Sequence, residues 1–188
     1  MFLYAQVRWK EWQWSRNYYR DRRFWKIEKK MRARYRWKNP YAMARKEGQV
    51  YGETPLALYD EIAKRVGLEK GERFLDLGCG RGRGCYFLAH FYGCKALGIE
   101  MVAGFVKRAI AVPGVEILQG DFLSCDLNAD VIYLYGTCLN DEEIEVVSKN
   151  VVGAKVVSVS EPLPGAPVIE SFEGEFPWGK TQLYIQKF

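Results

Sequence analysis

The segment Phe74-Leu-Asp-Leu-Gly-Cys-Gly-Arg-Gly-Arg-Gly84 sets an acid, Asp76, in an apolar run and follows it with Gly78, Gly80, Gly82 and Gly84. The pattern reads as a buried strand entering a glycine-built turn, with a helix starting near Arg83. Glycine serves where the backbone takes unusual φ/ψ or lies against a ligand with no Cβ in the way. The spacing D-x-G-x-G-x-G differs from the dinucleotide fingerprint G-x-G-x-x-G: the glycines alternate, and an acid ends the strand. That acid would repel a pyrophosphate. It suits a cation, such as the amino group and sulfonium of S-adenosylmethionine (AdoMet). A glycine turn of purely structural role is the alternative, and two further acids weigh against it. The apolar run Lys95-Ala-Leu-Gly-Ile-Glu100 ends in Glu100, at the distance where a Rossmann-type sheet offers a carboxylate to ribose hydroxyls. The run from Val115 closes on Asp121 and Phe122, an acceptor for an adenine amino group and a ring to stack on the base. Three acids at three strand ends outline one nucleoside-shaped ligand.

Strands and helices must bring these residues to one edge. Strands are predicted over Arg73–Leu77, Ala96–Glu100, Glu116–Gln119, Ala129–Tyr135 and Lys155–Val159, from short β-branched and apolar runs. Helices are predicted over Leu56–Val66, Gly84–Tyr92, Ala103–Ala111 and Asp141–Val147. Thr54 is the expected N-cap of the first of these, and Pro55 its first helical residue. Alternating strands and helices imply an α/β fold with a doubly wound, Rossmann-like, mostly parallel sheet. Ligands of such sheets bind at the C-terminal strand edges. Two last runs, Val168–Phe172 and Thr181–Gln186, read as an antiparallel C-terminal strand pair. That finish fits the class I methyltransferase sheet better than a plain dinucleotide fold.

At 188 residues the chain holds one domain, or one domain and an appendage. It contains no apolar run of eighteen residues, so no transmembrane helix is expected. Met1-Phe-Leu-Tyr4 runs into charge rather than an apolar stretch, so no signal peptide is expected. Cys79, Cys85, Cys94, Cys125 and Cys138 form no C-x-x-C pair, which points to reduced thiols in a cytoplasmic protein and to no metal site. The single histidine, His90, lies in a helix-like segment, so triad and histidine–metal chemistry find little support.

Charge divides the chain. Residues 1–47 hold 15 Lys or Arg against 4 Asp or Glu, a net of +11, and residues 48–188 hold 13 against 19, a net of −6. Trp9, Trp12, Trp14, Trp25 and Trp37 also lie in the first part. The expected organisation is a basic, aromatic N-terminal helical arm (1–47) and a globular domain (48–188). With no Pro or Gly from residue 3 to 37, the arm reads as one helix. Its stripe is Leu3, Val7, Trp14, Tyr18 and Trp25. Asn39-Pro40 ends it. Such an arm could dock on its own domain, or lie on an anionic membrane surface as a peripheral anchor. It could also contact nucleic acid through residues 1–38, or an acidic protein. The sequence does not choose.

The series Val50-Tyr-Gly-Glu-Thr54, Asp76-Leu-Gly-Cys-Gly-Arg-Gly82, Gly98-Ile-Glu100 and Gly120-Asp-Phe-Leu-Ser124 resembles the Dot (disruptor of telomeric silencing) family of non-SET protein lysine methyltransferases. Trp178-Gly-Lys180 and Tyr184 are similar to that family's Trp-Thr-Gly-Lys…Tyr stretch. The likeness runs in order from about residue 48 to 188. The glycine motif alone is shared by class I methyltransferases at large, whereas the Val-Tyr-Gly-Glu-Thr loop is more specific. A second resemblance is to the small lysine methyltransferases that include enzymes acting on the ATP synthase c subunit, short domains with a membrane-associating N-terminal segment.

The resemblance implies AdoMet as cofactor and a protein with an accessible lysine as substrate. Tyr51, Glu53 and Thr54 then belong to a loop closing over the methionine end. Asp76, Gly78, Gly80 and Gly82 form the floor, Glu100 takes the ribose, and Asp121 and Phe122 hold the adenine. Trp178 and Tyr184 stand near the lysine channel. One departure is clear: the family has Asn-Asn-Phe after its fourth strand, where this chain has Tyr135-Gly136-Thr137. An aromatic channel of Tyr135, Trp178 and Tyr184 would disfavour a charged amine and tolerate a methylated one, with no dedicated general base. Each ring has a plainer reading as packing, Tyr135 within its strand and Trp178 beneath the final hairpin. The competing functions are an RNA methyltransferase holding phosphates with the arm, a small-molecule methyltransferase, and a non-enzymatic AdoMet-binding scaffold. Against base methylation, no N-x-x-Y/D-P-P-Y tetrad follows the fourth strand, where Tyr135-Gly-Thr-Cys138 stands.

Overall fold

The computed structural model describes Gln13, Arg16, Tyr18 and residues 20–188. Seven strands form one sheet: β1 (Arg73–Leu77), β2 (Lys95–Glu100), β3 (Val115–Gln119), β4 (Val131–Tyr135), β5 (Lys155–Val159), β6 (Val168–Phe176) and β7 (Gly179–Lys187). Their order is β3-β2-β1-β4-β5-β7-β6. The first five are parallel, and β7 runs antiparallel between β5 and β6. The fold is therefore the expected α/β Rossmann-like methyltransferase sheet with an antiparallel C-terminal pair. The chain reverses direction across the sheet between β1 and β4, so the carboxyl ends of these strands open a crevice.

Among residues 20–188, six α-helices accompany the sheet: α1 (Arg22–Arg34), α2 (Pro40–Lys46), α3 (Leu56–Val66), α4 (Arg83–Phe91), α5 (Ala103–Val106) and α6 (Asp141–Asn150). One core joins α3 and α4 to the sheet through Ile62, Phe74, Phe87, Tyr133 and Phe176. A second lies on the opposite face, where Leu75, Ile132, Val147 and Val156 meet. A third cluster sits under the arm and contains Met31, Tyr35, Tyr86 and Phe105. Among the described residues no helix is long and apolar enough to cross a membrane.

Two helix boundaries differ from expectation for identifiable reasons. The helix after β2 stops at Val106 rather than Ala111, and the Ile110 N–H donates to the Tyr86 hydroxyl at 2.9 Å instead of to a helical carbonyl. Pro55, not Thr54, caps α3, and no side chain caps that end. The Thr54 hydroxyl is engaged by Tyr133 on β4, at 2.6 Å.

The arm differs more. Leu3, Val7 and Trp14 lie outside the described residues. The described residues do not form the single expected helix: Arg16, Tyr18 and Arg20 lie in turns, and α1 ends at Arg34, before Asn39-Pro40. Asp21 starts α1 as its N-cap, the carboxylate accepting from the N–H groups of Arg23 and Phe24 at 2.7 and 3.0 Å and so opening a new helix there. Its inward residues are Phe24, Glu28 and Met31, followed by the buried cap residue Tyr35. Trp25, expected on the buried stripe, is 47% exposed. Phe24 takes the inner place because it meets Phe91 and Phe87 of α4, with ring centroids 5.0 and 5.8 Å away. Tyr18 is half-buried, and its hydroxyl donates to Asp60 of α3 at 2.7 Å.

Candidate active site

The ends of β1, β2 and β4 surround a cavity of about 680 Å³. The turn after β1 holds Gly78, Gly80 and Gly82 at φ of 79°, 56° and 70°, conformations that a Cβ disfavours. The paired tips of β1 and β2 bring Asp76 and Glu100 beside this turn. Asp76 is 2% exposed and accepts from the Tyr59 hydroxyl at 3.0 Å. Burial pushes its carboxyl up to about 7; the Tyr59 hydrogen bond opposes this, and the nearby Glu100 charge adds to it. Glu100 accepts from the Gly80 N–H at 2.6 Å and the Val102 N–H at 2.7 Å, one on each oxygen. Burial raises its carboxyl, and those backbone donors pull it back. Each oxygen keeps a further lone pair for a ligand hydroxyl.

A loop from Gly48 to Thr54 forms one wall. Glu53 and Tyr51 are fixed there by Arg81, a residue of the glycine turn. The Arg81 guanidinium donates to Glu53 Oε1 and Oε2 at 2.6 and 2.7 Å and to the Tyr51 hydroxyl at 3.0 Å. Tyr51 itself donates to Glu53 at 2.5 Å. Burial works to raise the Glu53 carboxyl, but Arg81 and Arg83 hold it below the usual range. The Tyr51 ring lies against Gly80, where a Cβ would come within 2.9 Å of it. The opposite wall holds Tyr135 and Trp178. The Trp178 indole N–H donates to the Tyr135 hydroxyl at 2.8 Å, and the Trp178 ring stacks on Phe176 with centroids 5.2 Å apart. Trp178 also closes on the loop: a Cβ at Gly52 would stand 2.7 Å from its ring.

Tyr51, Glu53, Thr54, Asp76, Gly78, Gly80, Glu100, Asp121, Phe122, Tyr135 and Trp178 all border this cavity. The structure thus brings together eleven of the residues singled out from sequence. Asp121 also caps the turn after β3, accepting from the Leu123 N–H at 3.0 Å. Two residues stand apart. Gly82 packs beneath the turn against Ile117. Tyr184 lies on β7 opposite Ser158 and Ser171 and does not line the cavity. Sequence reasoning missed Arg81, Tyr59, Tyr133 and Glu143. Only Arg81 had a local signal, as a cation placed inside a turn otherwise suited to a cationic ligand.

The carboxylates bordering the cavity are Glu53, Asp76, Glu100, Asp121 and Glu143, and no Lys, Arg or His borders it among the described residues. Such a lining favours a cationic occupant and disfavours a phosphate.

Residues 39–112 match the model of a family described as histone methylation protein DOT1. Two curated relatives are similar over part of the chain. Phosphoethanolamine N-methyltransferase 1 of Triticum aestivum is 31% identical over 98 residues, covering 48% of this chain and 20% of that protein. An H3 lysine-79 specific histone-lysine N-methyltransferase of Candida albicans is 27% identical over 138 residues, covering 59% and 10%. The chain therefore spans a fifth or less of these relatives. Among solved structures, an RNA methyltransferase from Salinibacter ruber in complex with S-adenosyl-L-homocysteine superposes with a TM-score of 0.60, at 24% identity, covering 72% of this chain and 92% of that one. A SAM-dependent methyltransferase from Aquifex aeolicus gives 0.57, at 17% identity, covering 80% and 99%. The chain thus has the fold of S-adenosylmethionine-dependent methyltransferases, and its residues 39–112 are similar to the DOT1 family model.

Proposed function

We propose that the chain transfers a methyl group from AdoMet to the side-chain amine of a protein lysine. The observation that carries this reading is the lining of the cavity: five carboxylates, aromatic rings at one wall, and no basic residue among those described. AdoMet fits the donor set. Asp76 would take its ammonium, Glu100 its ribose hydroxyls, and Asp121 with Phe122 its adenine. Tyr51, Glu53 and Thr54 would close the loop beside its methionine end. When bound, AdoMet supplies an already activated methyl group, so the protein's task is alignment and exclusion of water. Tyr135 and Trp178 are suited to that task. Their rings disfavour the protonated form of an entering amine, and a π face accepts the methylated ammonium afterwards. Glu143 at the same wall favours a positively charged approach. An acceptor bearing a phosphate, such as phosphoethanolamine, would meet like charge throughout the cavity.

The test is transfer of labelled methyl from AdoMet into a cell lysate, with the product then split by protease or nuclease. Label lost with protease and recovered as methyl-lysine supports the reading, and label lost with nuclease overturns it. That second outcome would favour an RNA methyltransferase. The exposed surface of α1 and the turn after it gives RNA some support, since Lys29 lies over Trp25 at 5.0 Å on the helix and Arg36 lies over Trp37 at 5.2 Å in the turn.

A further inference from the structure

No described residue of α1 borders the cavity, yet Arg81 of the glycine turn and Arg83, the first residue of α4, tie that helix to the site. Arg83 donates to Glu28 of α1 at 3.1 Å, with both side chains buried. Arg81 lies with its guanidinium 5.1 Å from the ring centre of Tyr35, the cap residue of α1. The other side of the same guanidinium grips Glu53 and Tyr51. The Tyr51 ring in turn packs on Phe105 and on Tyr41 of α2, with centroids 4.9 and 5.3 Å apart. The arm, the glycine turn and the wall loop thus share one cation.

We infer that Tyr35 and Arg81 are positioning residues that set the 50–54 loop for the methionine end of AdoMet, so that the arm is a working part of the cofactor site. This rests on the AdoMet reading above. A planar guanidinium can face an aromatic ring while donating two parallel hydrogen bonds to a carboxylate; a lysine ammonium cannot do both. Removing the ring frees Arg81 to leave Glu53, and the loop loses its fixed place. The nucleoside half of the proposed site rests on Glu100 and Asp121, whose described hydrogen bonds go to Gly80, Val102 and Leu123 and not to α1, and it should not notice.

The experiment compares Tyr35→Leu, Tyr35→Phe and Arg81→Lys with the wild-type full chain. Binding of AdoMet and of 5′-methylthioadenosine, which lacks the methionine end, is measured by calorimetry. Tyr35→Leu and Arg81→Lys should weaken AdoMet about tenfold, the size of a desolvated cation–π contact, and leave methylthioadenosine unchanged. Tyr35→Phe keeps the ring and should match the wild type. A purely structural role predicts equal losses for both ligands, and that result, or no loss for either, overturns the inference. Amide hydrogen exchange of residues 50–54 in the ligand-free protein decides the coupling separately. It should quicken in Tyr35→Leu and be restored in Tyr35→Phe. If the wild type binds neither ligand, the AdoMet reading falls, while unchanged exchange in Tyr35→Leu would defeat the coupling itself.

Discussion

The two ends of the cavity are built in different ways. The Asp76–Glu100 end comes from the tips of adjacent parallel strands, and its polar atoms are held by backbone N–H groups and a buried tyrosine. The Tyr135–Trp178 end joins a strand tip to a hairpin turn, through one indole-to-hydroxyl bond and ring contacts, with Trp178 still 48% exposed. The first end is charged and enclosed, and the second is aromatic and open. Enclosure fixes a ligand that is the same in every turnover. An open rim admits a group attached to something larger. The difference implies that changes at the first end act on cofactor binding, and changes at the second on transfer.

The largest effect should come from Asp76→Asn. It removes the carboxylate proposed to pair with the AdoMet ammonium, and losing one partner of a buried charge pair costs on the order of 3 kcal/mol, or roughly a hundredfold in affinity. Calorimetry checks it, and binding within a few-fold of wild type would erase the distinction between the two ends. Glu100→Ala should follow. It removes the proposed ribose acceptor and the partner of the Gly80 and Val102 N–H groups, so both AdoMet affinity and unfolding free energy should drop, the latter by about 1–3 kcal/mol in denaturant titration.

Protons sharpen the same contrast. A carboxyl pushed up to about 7 is half protonated near neutrality, and only its ionised form pairs with an ammonium. AdoMet affinity should therefore rise about tenfold per pH unit below 7 and level off above it. Asp76→Asn should flatten that profile. For folding the sign is reversed. Because the folded-state value is raised, the contribution of Asp76 to stability is full below the unfolded aspartate range and is lost as pH rises through about 7. Urea titrations of the ligand-free wild type and Asp76→Asn at pH 5 and 8 would show the variant gaining relative stability at the higher pH.

At the aromatic end, Tyr135→Phe frees the Trp178 indole. It should slow single-turnover methyl transfer about tenfold, the worth of one hydrogen bond that fixes a ring, with AdoMet affinity within twofold. The smallest effect is expected of Glu143→Gln, which can keep its capping role at the start of α6. KM for a basic peptide should rise roughly threefold, as for a partly screened charge, and a fall in KM would contradict the approach of a cation.

The cofactor end was legible because parallel strands bring their carboxyl tips together whatever joins them. Asp76, Glu100 and Asp121 could thus be aligned from three apolar runs. The remainder depends on partners far apart in sequence. Tyr59 reaches Asp76 from a helix whose periodicity marks it only as core, and Tyr133 meets Thr54 from 79 residues further along the chain. Neither pairing leaves a local trace. Tyr184 illustrates the cost of borrowing a position from a resemblance: strand residues alternate faces, and its register with Ser158 and Ser171 sets it away from the cavity. In the arm, Trp25 and Phe24 are both apolar enough to face inward, and only the rings of α4 settle which does.

The contact between Gly52 and Trp178 has a consequence for how the protein comes into being. One jaw of the cavity is made before any strand of the sheet, and the other in the last hairpin, so nearly the whole sheet separates them along the chain. A nascent polypeptide can pair β1 with β2 and form the glycine turn while its final hairpin is still unmade. It cannot close the cavity until that hairpin docks. The aromatic end is thus a late, long-range contact whose loop-closure entropy is met last, and a chain cut short before Trp178 would lose with it β7, whose Leu183 and Ile185 share one core with Ile62, Phe74 and Phe87.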